Sequence, residues 1–222
     1  MKRLQKFIAD SGYCSRREAE LLIKQKQVRV NKKVAEIGIS VNDDDKVTVR
    51  GAIIKPNKEL IYIALNKPKG YVSTSSGEKS ISSLVRVPER LFIVGRLDKS
   101  SHGLILLTND GDFAYRLTHP SFAHEKEYII ELAKDINSEM VAEFKKGIDL
   151  GEKTKSFMKS IKKIGPKKYR VVLSEGRNHQ IKRMFEFFGR TVLDLQRVRM
   201  GKYKMGNLKK GSWVFINKDS CY

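Results

Sequence analysis

The chain has 222 residues, with 45 Lys+Arg against 25 Asp+Glu and a formal net charge of +20. That length fits one or two domains with a real core, and that charge points to a polyanionic partner, most simply nucleic acid. The composition excludes a membrane-spanning helix, a basic amphipathic stretch with an apolar membrane-docking face, an apolar leader after Met1, and a disulfide or CxxC zinc framework, since Cys14 and Cys221 stand at opposite ends and read as free thiols in a reducing cytoplasm.

Residues 2–10 place Leu4, Phe7 and Ile8 on one helical face, and Gly12 suits the stop that follows. Ser15-Arg16-Arg17-Glu18 has the form of a capping box. The helix it opens buries Ala19, Leu22 and Ile23 and leaves Arg16 and Arg17 on other faces. Val28-Arg29-Val30-Asn31 alternates like a strand, and Val47 to Gly51 is another, after the acidic turn Asn42-Asp43-Asp44-Asp45. That turn lacks the glycine and distal glutamate of a calcium loop, so no metal is expected there. On Arg3 to Ile8, Ser15 to Ala19 and Val28 to Asn31, this segment resembles an S4-type RNA-binding module. Two helices presenting arginines beside a small sheet suit phosphate contact with structured RNA; the bland alternative for Arg16 and Arg17 is a solvated helix face. The chain departs from such modules at Gln27 and at Asn31-Lys32, where they usually carry glycine and Asn-Gly. Lys55-Pro56-Asn57-Lys58-Glu59 reads as the linker between two domains, residues 1–55 and 60–222.

Leu60 to Leu65 is an apolar, β-rich run leading into Asn66-Lys67-Pro68-Lys69-Gly70, a tight strand exit expected to support a site from behind. Tyr71 to Thr74 is expected to resume as strand. Phe92 to Val94 and Leu104 to Leu107 read as buried strands around a polar loop that holds Arg96 and Asp98. A carboxylate held there is partly desolvated, which is costly unless it is paired or used. Taken alone, Arg96 and Asp98 are more often a structural ion pair than a catalytic site. Asp112 to Leu117 looks helical and ends before His119-Pro120. Glu125 to Leu132 alternates as a strand whose apolar face Tyr128 leads, which alone would suggest a core tyrosine. Ser138 to Lys146 is an amphipathic helix stopping at Gly147, and Lys153 to Lys168 is a basic stretch suited to a surface hairpin against RNA. Tyr169 to Leu173 is a strand that Ser174 to Met184 turns into a helix, with Ile181, Met184, Phe185 and Phe188 on one stripe and a stop at Gly189. Lys182 lies next to that stripe and can point toward the sheet as a counter-ion for Asp98. Basic β-like segments run from Thr191 and close with Trp213 to Ile216.

His102, His119, His124 and His179 show no zinc-enzyme spacing, and there is no Walker loop, dinucleotide-binding fingerprint or nucleophile elbow. What remains is a central aspartate, a cation to hold it ionised and an aromatic strand residue. That set suits chemistry on a base taken out of an RNA stack. Asn66 to Gly70, Gly95-Arg96-Leu97-Asp98 with Ser101-x-Gly103-Leu104, Leu107 to Gly111, Lys126-x-Tyr128 and Gly176 to Met184 occur in that order. Together they resemble the RsuA/RluB-type ribosomal RNA pseudouridine synthases, over essentially the whole chain.

The resemblance implies an α+β protein: an S4-like module, then a catalytic domain with a mixed, mainly antiparallel sheet. It implies Asp98 as the catalytic aspartate, Tyr128 as the tyrosine that stacks on the flipped uridine, and Lys182 as the basic partner of Asp98, often arginine in such enzymes. Arg96 matches the arginine that fills the space the base leaves. Arg16, Arg17, Arg177, Asn178 and Gln180 are expected as further substrate contacts. No cofactor and no metal are implied. Ribosomal RNA is the expected partner, 23S favoured and 16S also open, for a cytoplasmic monomer. The competing expectation is a non-catalytic RNA-binding ribosome-assembly factor; a bare binder, however, has no need of a desolvated carboxylate near phosphates.

Overall fold

A computed structural model describes residues 1–56 and 59–219, so Asn57 and Lys58 of the expected linker, and Cys221, lie outside the described residues. The chain forms two compact units. The first is Met1–Ile61 with Val87–Phe92 and Thr108–Gly111, and the second holds the rest.

The first unit runs β1 (Lys2–Arg3), α1 (Leu4–Asp10), α2 (Arg16–Lys24), β2 (Val28–Val30), β3 (Lys33–Val34), β4 (Ser40–Val41), β5 (Val47–Val49) and β6 (Ala52–Ile54). Leu4, Phe7 and Ile8 of α1 and Ala19, Leu22 and Ile23 of α2 bury the faces their spacing predicts. The capping box forms: Ser15 Oγ accepts the Glu18 N–H at 3.1 Å, and Glu18 accepts the Ser15 N–H at 3.5 Å. Four strands pair in the order β3-β2-β5-β6. Lys32 stands where similar modules carry glycine, and it adopts the glycine's conformation: Asn31 (φ 49°) and Lys32 (φ 71°) are both left-handed. They form the two-residue connection between Val30 and Lys33, which are paired across the hairpin. A lysine in that region costs roughly 1 kcal/mol, against the larger unfolded-state freedom of glycine. Lys32→Gly is therefore expected to raise the unfolding free energy of this unit by about 0.5 kcal/mol in denaturant titrations; a loss of stability would show the lysine side chain to be holding the turn.

The second unit contributes β7 (Tyr62–Lys67), β8 (Phe92–Val94), β9 (His102–Thr108), α3 (Gly111–Thr118), β10 (Lys126–Leu132), α4 (Ser138–Lys146), β11 (Ser160–Gly165), β12 (Lys168–Leu173), α5 (Gln180–Glu186), β13 (Val192–Met200), β14 (Tyr203–Lys204) and β15 (Trp213–Phe215), the first residues of β8 and α3 and the last of β9 being counted with the first unit. Among the described residues the strands form a nine-stranded sheet with the path β11-β12-β10-β13-β9-β7-β15. The pairs β10·β12, β10·β13, β11·β12 and β7·β15 are antiparallel, and β13·β9 is parallel. This is the mixed, mainly antiparallel sheet of the sequence reading. Tyr71 to Thr74 is a correction: only Val72 bridges, to Ser80, because Ser73 is drawn off to bind Leu97. The α4 helix matches its expected limits, and Asn137 caps it by accepting the Met140 N–H.

Candidate active site

Asp98 occupies the loop between β8 and β9, and its backbone is held from beneath. Lys67, at the end of β7, is fully buried, and its ammonium donates to the carbonyls of Asp98 (3.0 Å), Ser101 (2.7 Å) and Pro68 (3.2 Å). Burial pushes the Lys67 pKa down to about 8, partly opposed by the Asp98 charge. It thus stays an ammonium at neutral pH, with all three N–H groups in use. Arg197 on β13 is 1% exposed and donates from Nε to Leu104 O (2.7 Å) and from Nη1 to Arg96 O (3.3 Å). Its Nη2 is buried with no hydrogen-bond partner among the described residues. Ser73 Oγ donates to Leu97 O and accepts the Leu97 N–H, and the Gly70 N–H donates to Lys99 O at 2.7 Å. The strand exit at Asn66 to Gly70 therefore does support the loop, through a buried lysine as well as through its backbone angles.

The Asp98 carboxylate is left free for other work, its side chain about 30% exposed. Lys182 Nζ, from α5, lies 3.6 Å from Oδ2 and donates to Ser100 Oγ at 2.7 Å. His179 Nε2 lies 3.3 Å from Oδ1. Two groups capable of positive charge thus flank one carboxylate. Tyr128, on the buried face of β10, lines the same cavity of about 450 Å³ together with Asp98, Arg96 and Lys182. Two residues before Tyr128 and on the same face is Lys126, buried, its pKa lowered first by desolvation and then by Arg197, against the pull of Glu175. Its recorded bond is a long one, 3.5 Å to His124 O.

The other expected contacts divide. Arg96 and Asn178 are exposed on the cavity wall, free of protein partners among the described residues in their side chains. Arg16 and Arg17 lie exposed on α2 of the first unit. Arg177 and Gln180 are otherwise engaged. Every N–H of the Arg177 guanidinium goes to protein acceptors: Nε to Glu175, Nη1 to Glu152 and Thr154 O, Nη2 to Thr154 Oγ1 and Lys155 O. Gln180 is 4% exposed, donates to Glu175 and accepts the Arg177 N–H at 3.0 Å. These two build the loop that carries His179 rather than leaving hydrogen-bonding groups open to a substrate. His179 itself was outside the expected set. Its backbone is left-handed (φ 49°), so the turn into α5 depends on contacts that no local pattern encodes.

A flanked carboxylate and an aromatic ring lining one cavity are the parts that an enzyme acting on a planar base would use. Known proteins agree with that class. Residues 61–187 match the model of the RNA pseudouridylate synthases, and residues 2–47 match the S4 domain. The chain is 41% identical over 222 residues to the dual-specificity RNA pseudouridine synthase RluF of Salmonella typhi, covering 98% of this chain and 76% of that protein. It is 37% identical to the ribosomal large subunit pseudouridine synthase B of Bacillus subtilis, over 95% and 90% of the two chains. A crystal structure of a pseudouridylate synthase superposes with a TM-score of 0.73 at 30% identity, covering 98% of this chain and 97% of that one. The chain belongs to the RNA pseudouridylate synthase family and carries an S4 domain ahead of the synthase segment.

Proposed function

We propose that this enzyme converts a uridine of ribosomal RNA into pseudouridine, with residues 1–55 gripping RNA and residues 60–222 performing the chemistry as a cytoplasmic monomer. The observation that carries this is the Asp98 carboxylate, flanked by Lys182 and His179 in the cavity that Tyr128 lines. In this reading the uridine is extruded into the cavity, stacks on Tyr128 and meets Asp98. The C1′–N1 bond breaks, the base turns, the C1′–C5 bond forms, and C5 loses the proton that restores aromaticity while N1 gains one, so atoms balance without a cofactor or metal. Lys182 pairs with Asp98, and Arg96 fills the gap in the stack. The name of the Bacillus subtilis relative supports the large-subunit RNA as substrate.

Lys182→Met is expected to retain RNA affinity and to lose at least about 100-fold in turnover, since it removes the ammonium 3.6 Å from the Asp98 carboxylate and its bond to Ser100 while keeping much of the side chain's bulk. Single-turnover kinetics beside filter binding separate turnover from affinity, and full activity would remove Lys182 from the site. The test of the whole reading is pseudouridine mapping on ribosomal RNA from cells lacking this protein. One uridine should lose its modification and regain it with the wild-type chain. If no position changes, the assembly-factor reading takes its place.

A further inference from the structure

The α3 helix buries Phe113 and Leu117 in the sheet's core and turns Tyr115 outward, 53% exposed. The short turn Pro120–Phe122 follows, and with it a cluster of rings at the surface. Tyr115 and His119 are 4.7 Å apart between centroids, Tyr115 and Phe122 5.9 Å, and His119 and Phe122 6.4 Å. Phe122, 45% exposed, stacks in turn near His124 at 6.4 Å. The mount is stiff. Thr118 Oγ1 donates to Ala114 O at 2.6 Å, His119 Nδ1 and Ser121 Oγ lie 2.7 Å apart, and Ala123 closes the turn in the left-handed region (φ 47°). A non-glycine residue in that conformation costs free energy, and here it presents Phe122 to water. Thr118 and Pro120, on either side of His119, are walls of the catalytic cavity.

Rigid, exposed rings at the mouth of a cavity, on a chain of net charge +20, match the chemistry of an unpaired nucleobase. We propose that Tyr115, His119 and Phe122 form a stacking site for an unpaired base that neighbours the target uridine, so that flipping the uridine is coupled to capture of its neighbour. This rests on the reading of the cavity as a uridine site. Stacking is tolerant of base identity, so the site fixes the strand's path without adding a sequence requirement. Exposed Arg116, on the same helix, suits a phosphate of that strand.

The test uses the full chain and a ribosomal RNA hairpin carrying the mapped uridine, with each unpaired flanking nucleotide replaced in turn by an abasic one. For the wild type, one such replacement should weaken binding about tenfold, the scale of one stacked base. Tyr115→Leu/Phe122→Leu should show that loss with intact RNA and none beyond it with the abasic RNA, while Phe122→Trp should bind as the wild type does. Thermal melts of the variants should be unchanged, because both rings are surface residues. If the two losses multiply, or if the leucine variant binds intact RNA normally, the stacking site is refuted. Failure of the wild type to form pseudouridine in intact RNA would instead overturn the parent reading and leave the binding comparison to be judged by itself.

Discussion

Asp98→Asn is expected to abolish turnover, by about 10⁴-fold or more, while leaving RNA affinity unchanged or slightly tighter. The substitution keeps the size of the side chain and removes only its charge. The loop should not move, because it is held through the carbonyls of Asp98, Ser101, Arg96 and Leu104 and not through the carboxylate. Affinity should hold because one fewer negative charge near a phosphate backbone cannot weaken the encounter. Complementation with Asp98→Asn in the mapping experiment, beside filter binding of the purified variant, reads both quantities. Residual activity above about one part in a hundred would mean that Asp98 does not carry the reaction.

Gly103→Ala is expected to be the most damaging single methyl in the chain. Gly103 has φ +103°, and a Cβ there would lie 2.2 Å from Arg197 O and 2.8 Å from Arg197 N. Those atoms are backbone in the parallel pairing of β9 with β13, where His102 meets Gln196 and Gly103 meets Arg197. Neither strand can yield without parting the sheet beside the Asp98 loop. A loss of more than about 3 kcal/mol is expected from the combined clash and strained backbone. Gly77→Ala is the control, with nearly the same φ (+105°) but nothing within 4 Å, and should cost only about 1 kcal/mol. Urea unfolding of the two variants measures the contrast; equal losses would show that conformation and not contact sets the penalty at Gly103.

The placement of Lys182 could be read from periodicity, while Asp98 and Tyr128 were singled out only by the ordered motifs. Lys182 beside the Ile181–Met184–Phe185 stripe had to emerge near the sheet, and it lies 3.6 Å from Asp98. The Ser15 box and the Gly147 stop are local rules obeyed locally. Strand alternation puts Lys126 on Tyr128's buried face, against the general preference of lysine for solvent. The burial of Lys67 runs against the same preference and depends on carbonyls 31 and 34 residues away in the chain. The engagement of Arg177 and Gln180 within the chain was hidden for a related reason. Their partners Glu152 and Thr154 come from a distant loop that the sequence does not bring near. The strand missed at Tyr71 to Thr74 was a matter of competition, since Ser73 serves Leu97 instead of a ladder.

The positive charge of this enzyme is of two kinds. Most of it stands in solvent, where at physiological ionic strength neighbouring ions shield it beyond roughly 8 Å. Lys67, Lys126 and Arg197 are different: they are buried, bonded to carbonyl oxygens, and among the described residues no carboxylate forms an ion pair with them. Mobile ions cannot reach them, so the potential around the cavity is nearly blind to the buffer. Added salt should therefore slow the arrival of RNA long before it loosens a nucleotide already seated, and the Michaelis constant and the turnover number become separate reporters of outer and inner charge.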